Sequence, residues 1–147
     1  IQHWCNGNSG QDGKFVMNGG TIKDCKAGDD GAAVDIGMGC TFTMNDGTIS
    51  NCRADDDGGA VFVKQGGFFV MNSGTIENCS ACNNGGAVNI YENGSFTMTG
   101  GTIKDCKVDL EVSAMQYMAK TIRRLLSFLE VRSRTVVYFH GLLMSSQ

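Results

Sequence analysis

The sequence predicts an all-β protein, a right-handed parallel β-helix of 27-residue coils with three short strands each and a C-terminal capping α-helix. Three observations lead there. One eleven-residue phrase recurs four times without insertion or deletion: FVMNGGTIKDC from Phe15, FTMNDGTISNC from Phe42, FVMNSGTIENC from Phe69 and FTMTGGTIKDC from Phe96. Apolar and polar residues alternate inside each phrase, a strand period rather than a helical one. Glycine punctuates the phrases: 20 of the 21 glycines precede Leu110, and proline is absent.

A fixed period of this length marks stacked units, each too small to bury its own apolar face. Strands are expected near residues 42–44, 48–52 and 60–63, with equivalents 27 positions away. Stacked in parallel, each residue lies ~4.8 Å from its counterpart. The columns Phe15/Phe42/Phe69/Phe96, Met17/Met44/Met71/Met98, Ile22/Ile49/Ile76/Ile103, Cys25/Cys52/Cys79/Cys106 and Val34/Val61/Val88 are then inward. Asn and Gly turn the corners. Right-handedness follows from the strong chirality of parallel crossovers.

Composition changes near Leu110. Residues 110–147 hold five Lys or Arg (Lys120, Arg123, Arg124, Arg132, Arg134) against two acids (Glu111, Glu130), a balance of +3. The net charge of −3 for the chain leaves −6 for the rest. The organisation is a repeat domain over 1–110, with an irregular N-terminal cap over 1–12, and a tail over 111–147 that caps or dimerises. Apolar spacing from Val112 to Leu129 predicts a helix over about 112–131, and TVVYFHGLLM a strand or extended segment. The net acidity argues against nucleic acid. No run of ~18 apolar residues predicts a membrane span. No leader is visible at the start, which suits a processed protein or a piece of a longer array equally.

GGA followed by a branched aliphatic, at Gly58–Val61 and Gly85–Val88, together with F-x-x-N at Phe15–Asn18, Phe42–Asn45 and Phe69–Asn72, resembles the paired signature of the chlamydial polymorphic membrane proteins. Gly31-Ala32-Ala33-Val34 departs at one glycine and Thr99 replaces the fourth Asn. The resemblance covers about residues 13–107. It implies an exported, passenger-like adhesin module on a cell surface or in secreted form, and supplies no catalytic residues.

Four of the seven cysteines form an inward column and read as buried free thiols packing as small hydrophobes. Cys5, Cys40 and Cys82 fall outside it. Cys79-x-x-Cys82 has no second pair and no nearby His, so it does not read as zinc. Two acidic columns stand at a corner, Asp29 with Asp56 and Asp30 with Asp57, continued by Asn83 and Asn84. Like charges ~5 Å apart repel by about 0.8 kcal/mol even at the dielectric of water. These residues read as solvated turn formers, or as oxygen ligands for calcium, the one cofactor the sequence suggests.

The outward column Asp35/Phe62/Asn89, with Tyr91, is the candidate ligand face, where Phe62 and Tyr91 are expected to be exposed. The function expected is a non-catalytic binding or structural module for a glycan or a host or matrix protein. The alternative is a polysaccharide-cleaving hydrolase or lyase using corner carboxylates. Glu77 beside Lys104 is expected to pair across coils. The Thr21/Thr48/Thr75/Thr102 column raises ice binding, but its outward neighbour Lys23/Ser50/Glu77/Lys104 is charged and uneven. Threonine is simply a good solvent-facing strand residue.

Overall fold

The computed structural model describes residues 2–3, 13–110, 115, 118, 119, 121, 122, 136–139 and 142–145. The chain divides into two units, Ile1–Val112 and Ser113–Gln147.

The first unit is a stack of four coils. Its strands are β1 (Gln2–His3), β2 (Lys14–Lys23), β3 (Lys26–Ala27), β4 (Val34–Ile36), β5 (Thr41–Ser50), β6 (Arg53–Ala54) and β7 (Val61–Val63). They continue with β8 (Phe68–Met71), β9 (Thr75–Glu77), β10 (Ser80–Ala81), β11 (Val88–Ile90), β12 (Ser95–Met98), β13 (Thr102–Lys104) and β14 (Lys107–Val108). They form three parallel walls. The first is β1-β4-β7-β11 and the second is β3-β6-β10-β14. The third joins β2, β5, β8, β9, β12 and β13. From β2 onward the registers fall 27 residues apart, for example Ile22↔Ile49↔Ile76↔Ile103 and Val34↔Val61↔Val88, with one slip at Asn18↔Asp46, while β1 joins β4 at Gln2↔Asp35.

The walls are not divided as the alternation alone predicts. The phrases FTMN and GTI were expected as separate strands, yet in β2 and β5 they run on as one ten-residue strand. The corner comes later, at Asp24, Asn51, Asn78 and Asp105, all with φ of 53–55°. Asn and Asp are the non-glycine residues that most readily take this left-handed backbone. The second wall is therefore the two-residue segment after that corner. Gly31, Gly58 and Gly85 (φ 60–66°) turn the corner before the first wall. There the left-handed backbone fixes glycine, while the next position accepts Ala32 in place of Gly59 and Gly86.

The interior follows the predicted columns through the middle coils, but Met98 in the last coil, expected inward, is exposed because only Met71 on one side neighbours it in its column. Phe15, Phe42, Phe69 and Phe96 stack with ring centroids 4.8–4.9 Å apart and interplanar angles of 4–15°. Met44, Met71, Ile49, Ile76, Val61, Cys52 and Cys79 are fully buried in the middle coils. Phe15, Ile22, Phe96, Ile103 and Cys106 in the outer coils are only partly covered, because each has a neighbouring coil on one side. A second ladder runs outside. Asn45 Nδ2 donates to Asn18 Oδ1 (2.7 Å), Asn72 Nδ2 to Asn45 Oδ1 (2.8 Å), and Thr99 Oγ1 to Asn72 Oδ1 (3.0 Å). Asn45 and Asn72 each give one bond and accept one, and Asn18 accepts at the start of the row. Thr99, the departure from the repeat, still donates and ends the series.

In the second unit, Leu110 just before it and the described residues 115, 118, 119, 121 and 122 are helical. The rest of the helix expected over 112–131, and Trp4, lie outside the described residues; of the irregular N-terminal cap expected over 1–12, Gln2–His3 form β1, which pairs parallel with β4. Strands β15 (Val136–Phe139) and β16 (Leu142–Ser145) pair antiparallel with each other, so the expected extended segment is a hairpin.

Ile76→Ala should cost about 3–4 kcal/mol, the range for a fully buried aliphatic. Ile103→Ala, in the same column but half-covered, should cost less than half as much. Urea unfolding of both variants checks this; equal costs would remove the graded burial.

Candidate functional site

The first wall carries the candidate ligand face. Asp35, Phe62 and Asn89 occupy one outward column, in register across β4, β7 and β11. The structure corrects the expectation of an exposed Phe62: it is 5% exposed, whereas Tyr91 is 52% exposed. The Tyr91 ring tilts over Phe62, centroids 6.4 Å apart at 35°. Gly31 crowds it too, since a Cβ there would lie 3.1 Å from the Phe62 Cβ. Phe62 thus supports the ring that meets solvent.

Asp35, also 5% exposed, accepts from Lys64 Nζ at its Oδ2 (2.8 Å). Its Oδ1 is buried and has no hydrogen-bond partner among the described residues. A buried carboxylate oxygen left unmatched is costly and attracts a donor. Alternation places Asp35 on the face but cannot show that its charge is covered and half-satisfied.

The second place is the acidic corner. Carboxylate oxygens of Asp29, Asp30 and Asp56 lie within 4.8 Å of one another. Asp57, the fourth residue expected here, is turned to other duties: its Oδ1 accepts from Asn84 Nδ2 (2.9 Å) and its N–H donates to Asp30 Oδ1 (3.1 Å). Asn83 Nδ2 donates to Asp56 Oδ1. The two asparagines of the third coil therefore quench half of each acidic column. Burial pushes the Asp30 carboxyl above its ordinary value; the Asp57 N–H opposes this, and Asp29, Asp56 and Asp57 add to it. Oxygen donors from two coils converging at this distance suit a hard cation such as calcium.

The thiol column is free and inward. Cys25, Cys52, Cys79 and Cys106 each donate to the carbonyl two residues earlier, at 3.2–3.4 Å. Contact with Cys52 and burial push the Cys79 thiol up, and burial pushes Cys25 up. Cys82 lies buried with Arg53 Nη2 donating to its sulfur (3.2 Å), and it is free; Cys40, buried too, is disulfide-bonded. Cys79 and Cys82 thus engage different partners. The Glu77–Lys104 pair forms as expected, at 3.0 Å, and the threonine column is in register.

These features define an all-β parallel solenoid of about four coils whose polar chemistry lies in outward columns. The model of the right-handed β-helix region family matches residues 4–131, and the chain belongs to that family. Comparison with curated proteins and with solved structures gives no match. The β-helix fold is shared by adhesin-like proteins and by hydrolases and lyases, so the fold alone does not choose between them.

Two outcomes follow. Asp30 has a raised folded pKa, so its contribution to stability is present below its ordinary value of 3.8 and is lost as pH rises through the raised value. Asp30→Asn keeps the acceptor for the Asp57 N–H and should raise Tm by about 1–4 °C at pH 7, a modest gain because the site is partly screened, and by nothing measurable at pH 3. Thermal melts at the two pH values decide it. Separately, Cys52 and Cys79 should react with a maleimide roughly a hundredfold more slowly in the folded protein than in denaturant; labelling of both at the denatured rate would place the column outside the core.

Proposed function

We propose that the chain is a non-catalytic binding module of an exported bacterial surface protein, which holds a glycan or a host or matrix protein on the outer face of the first wall. One observation carries the reading: an exposed ring, Tyr91, lies over the buried Phe62 on the outer face of the first wall. A sugar complements that ring with an apolar C–H face. Asn89, two coils from Asp35 and half-buried, adds an amide on the same line. No helix among the described residues is long and apolar enough to cross a membrane. The tail beyond residue 110 is proposed as a further contact between copies.

A second reading rests on the acidic corner. Asp29, Asp30 and Asp56 converge from two coils, and Asp30 is held toward its neutral form. Glycoside cleavage uses a pair of carboxyls that face each other across the scissile bond, and the same oxygens suit calcium.

A glycan array and a reducing-sugar assay on one sample separate the two. Retention of a glycan without release of reducing ends, with affinity falling about tenfold or more in Tyr91→Ala, supports the binding module. Release of reducing ends that Asp30→Asn abolishes moves the assignment to the corner. A rise in Tm with millimolar calcium that Asp29→Asn removes would place the cation there.

A further inference from the structure

We propose that the first and last coils of this chain carry a charge guard that keeps copies from joining head to tail. The two outer coils invite such joining. Their apolar columns are in register with one another through the stack, and Phe15, Ile22 and Cys25 at one end, like Phe96, Ile103 and Cys106 at the other, are only partly covered. A second copy placed in register would continue each of these columns, Phe96 against Phe15 and Ile103 against Ile22, and would pair β13 with β2 and β14 with β3, whose outer edges have no strand partner among the described residues.

Three outward columns oppose it. Both outer coils end their phrase in the same four residues, Lys23-Asp24-Cys25-Lys26 and Lys104-Asp105-Cys106-Lys107. The three charged residues at each end are exposed. The ladders place Lys104, Glu77, Ser50 and Lys23 in one column, and Lys107, Ser80, Arg53 and Lys26 in another. Asp24, Asn51, Asn78 and Asp105 share the corner between them. A copy added in register sets Lys104 beside Lys23, Asp105 beside Asp24 and Lys107 beside Lys26, each at the spacing of adjacent strands, ~4.8 Å.

The interior of the same columns shows what the spacing accepts. Glu77 meets Lys104 in an ion pair, and Asn51 Nδ2 donates to Asp24 Oδ1 at 3.2 Å. Where Lys26 does neighbour Arg53, the guanidinium is drawn onto Asp55 and Asp109 instead. Like charges directly opposite on neighbouring strands are disfavoured, and charged edges are a known means of blunting strand addition. The excluded partner is thus an identical coil end, and the excluding chemistry is one ammonium–carboxylate–ammonium row repeated at both ends.

The test reverses one end in the full chain. Lys23→Glu with Lys26→Glu leaves the Glu77–Lys104 pair intact and sets acids against Lys104 and Lys107 of the next copy. Sedimentation velocity is run at about 10 mM and about 1 M salt, where the Debye lengths are ~30 Å and ~3 Å, with far-UV circular dichroism to establish folding. The double variant should at least double the parent's weight-average mass at low salt and return to it at high salt. Adding Lys104→Glu and Lys107→Glu makes the ends alike again and should restore the parent's mass at low salt. A folded double variant that keeps the parent's mass at low salt overturns the proposal, as does a quadruple variant that associates equally. If the double variant does not fold, Lys107→Glu alone, at the other end, is read by the same two outcomes.

Discussion

Among the described residues of the first unit, most backbone hydrogen bonds run between coils, and turn bonds such as Gly67 N to Lys64 O are the exceptions. Phe68 N donates to Cys40 O, Ser80 N to Cys52 O, Lys107 N to Cys79 O and Thr102 N to Gly74 O, each 28 residues from its partner, the slanted bonding of parallel strands whose Cα register is 27. This constraint sets residue i beside residues i−27 and i+27 from Lys14 to Val108, with a one-residue slip at Asn18↔Asp46. Every side-chain type must then tolerate a copy of its own column mate at the spacing of adjacent strands. Phenylalanine does so by parallel stacking, aliphatic residues by burial, and asparagine by giving and accepting one amide bond along the row.

The same constraint explains the exceptions. Asp29 over Asp56 and Asp30 over Asp57 are poor neighbours, and the third coil replaces both with asparagines that donate to them. Lys104 meets Glu77 rather than another lysine. On the first wall Asp35 neighbours Phe62 instead of another acid, and Lys64 reaches it from another position. Polar chemistry appears where a column changes type, which is why both candidate sites lie at such changes. The binding reading and the cleavage reading differ in which of these breaks is used.

Much of this was legible because the repeat has no insertions. Ile49 and Ile76 could be set side by side from their numbers alone, and the Phe, Met, Cys and Thr columns followed. Two features were not legible. Asn51 reads as a turn former no more strongly than Asn45, yet only Asn51 takes the left-handed backbone; Asn45 continues the strand and spends its amide on the ladder. Phe62 alternates outward correctly, but Tyr91 and the backbone near Gly31 cover it, and alternation cannot register a contact from the next turn. The convergence of Asp29, Asp30 and Asp56 was readable as columns, whereas the withdrawal of Asp57 needed the positions of Asn84 and Asp30.

Hydrogen exchange of Phe69→Ala tests the inter-coil coupling most directly. If each coil is held by its neighbours, this change in the third coil lowers the protection of second-coil amides, Arg53 and Asn51 among them, by as much as that of Ser80 and Phe68 in its own coil. Loss of protection confined to the third coil, with Arg53 and Asn51 unchanged, would mean that the coils fold separately and would contradict the account.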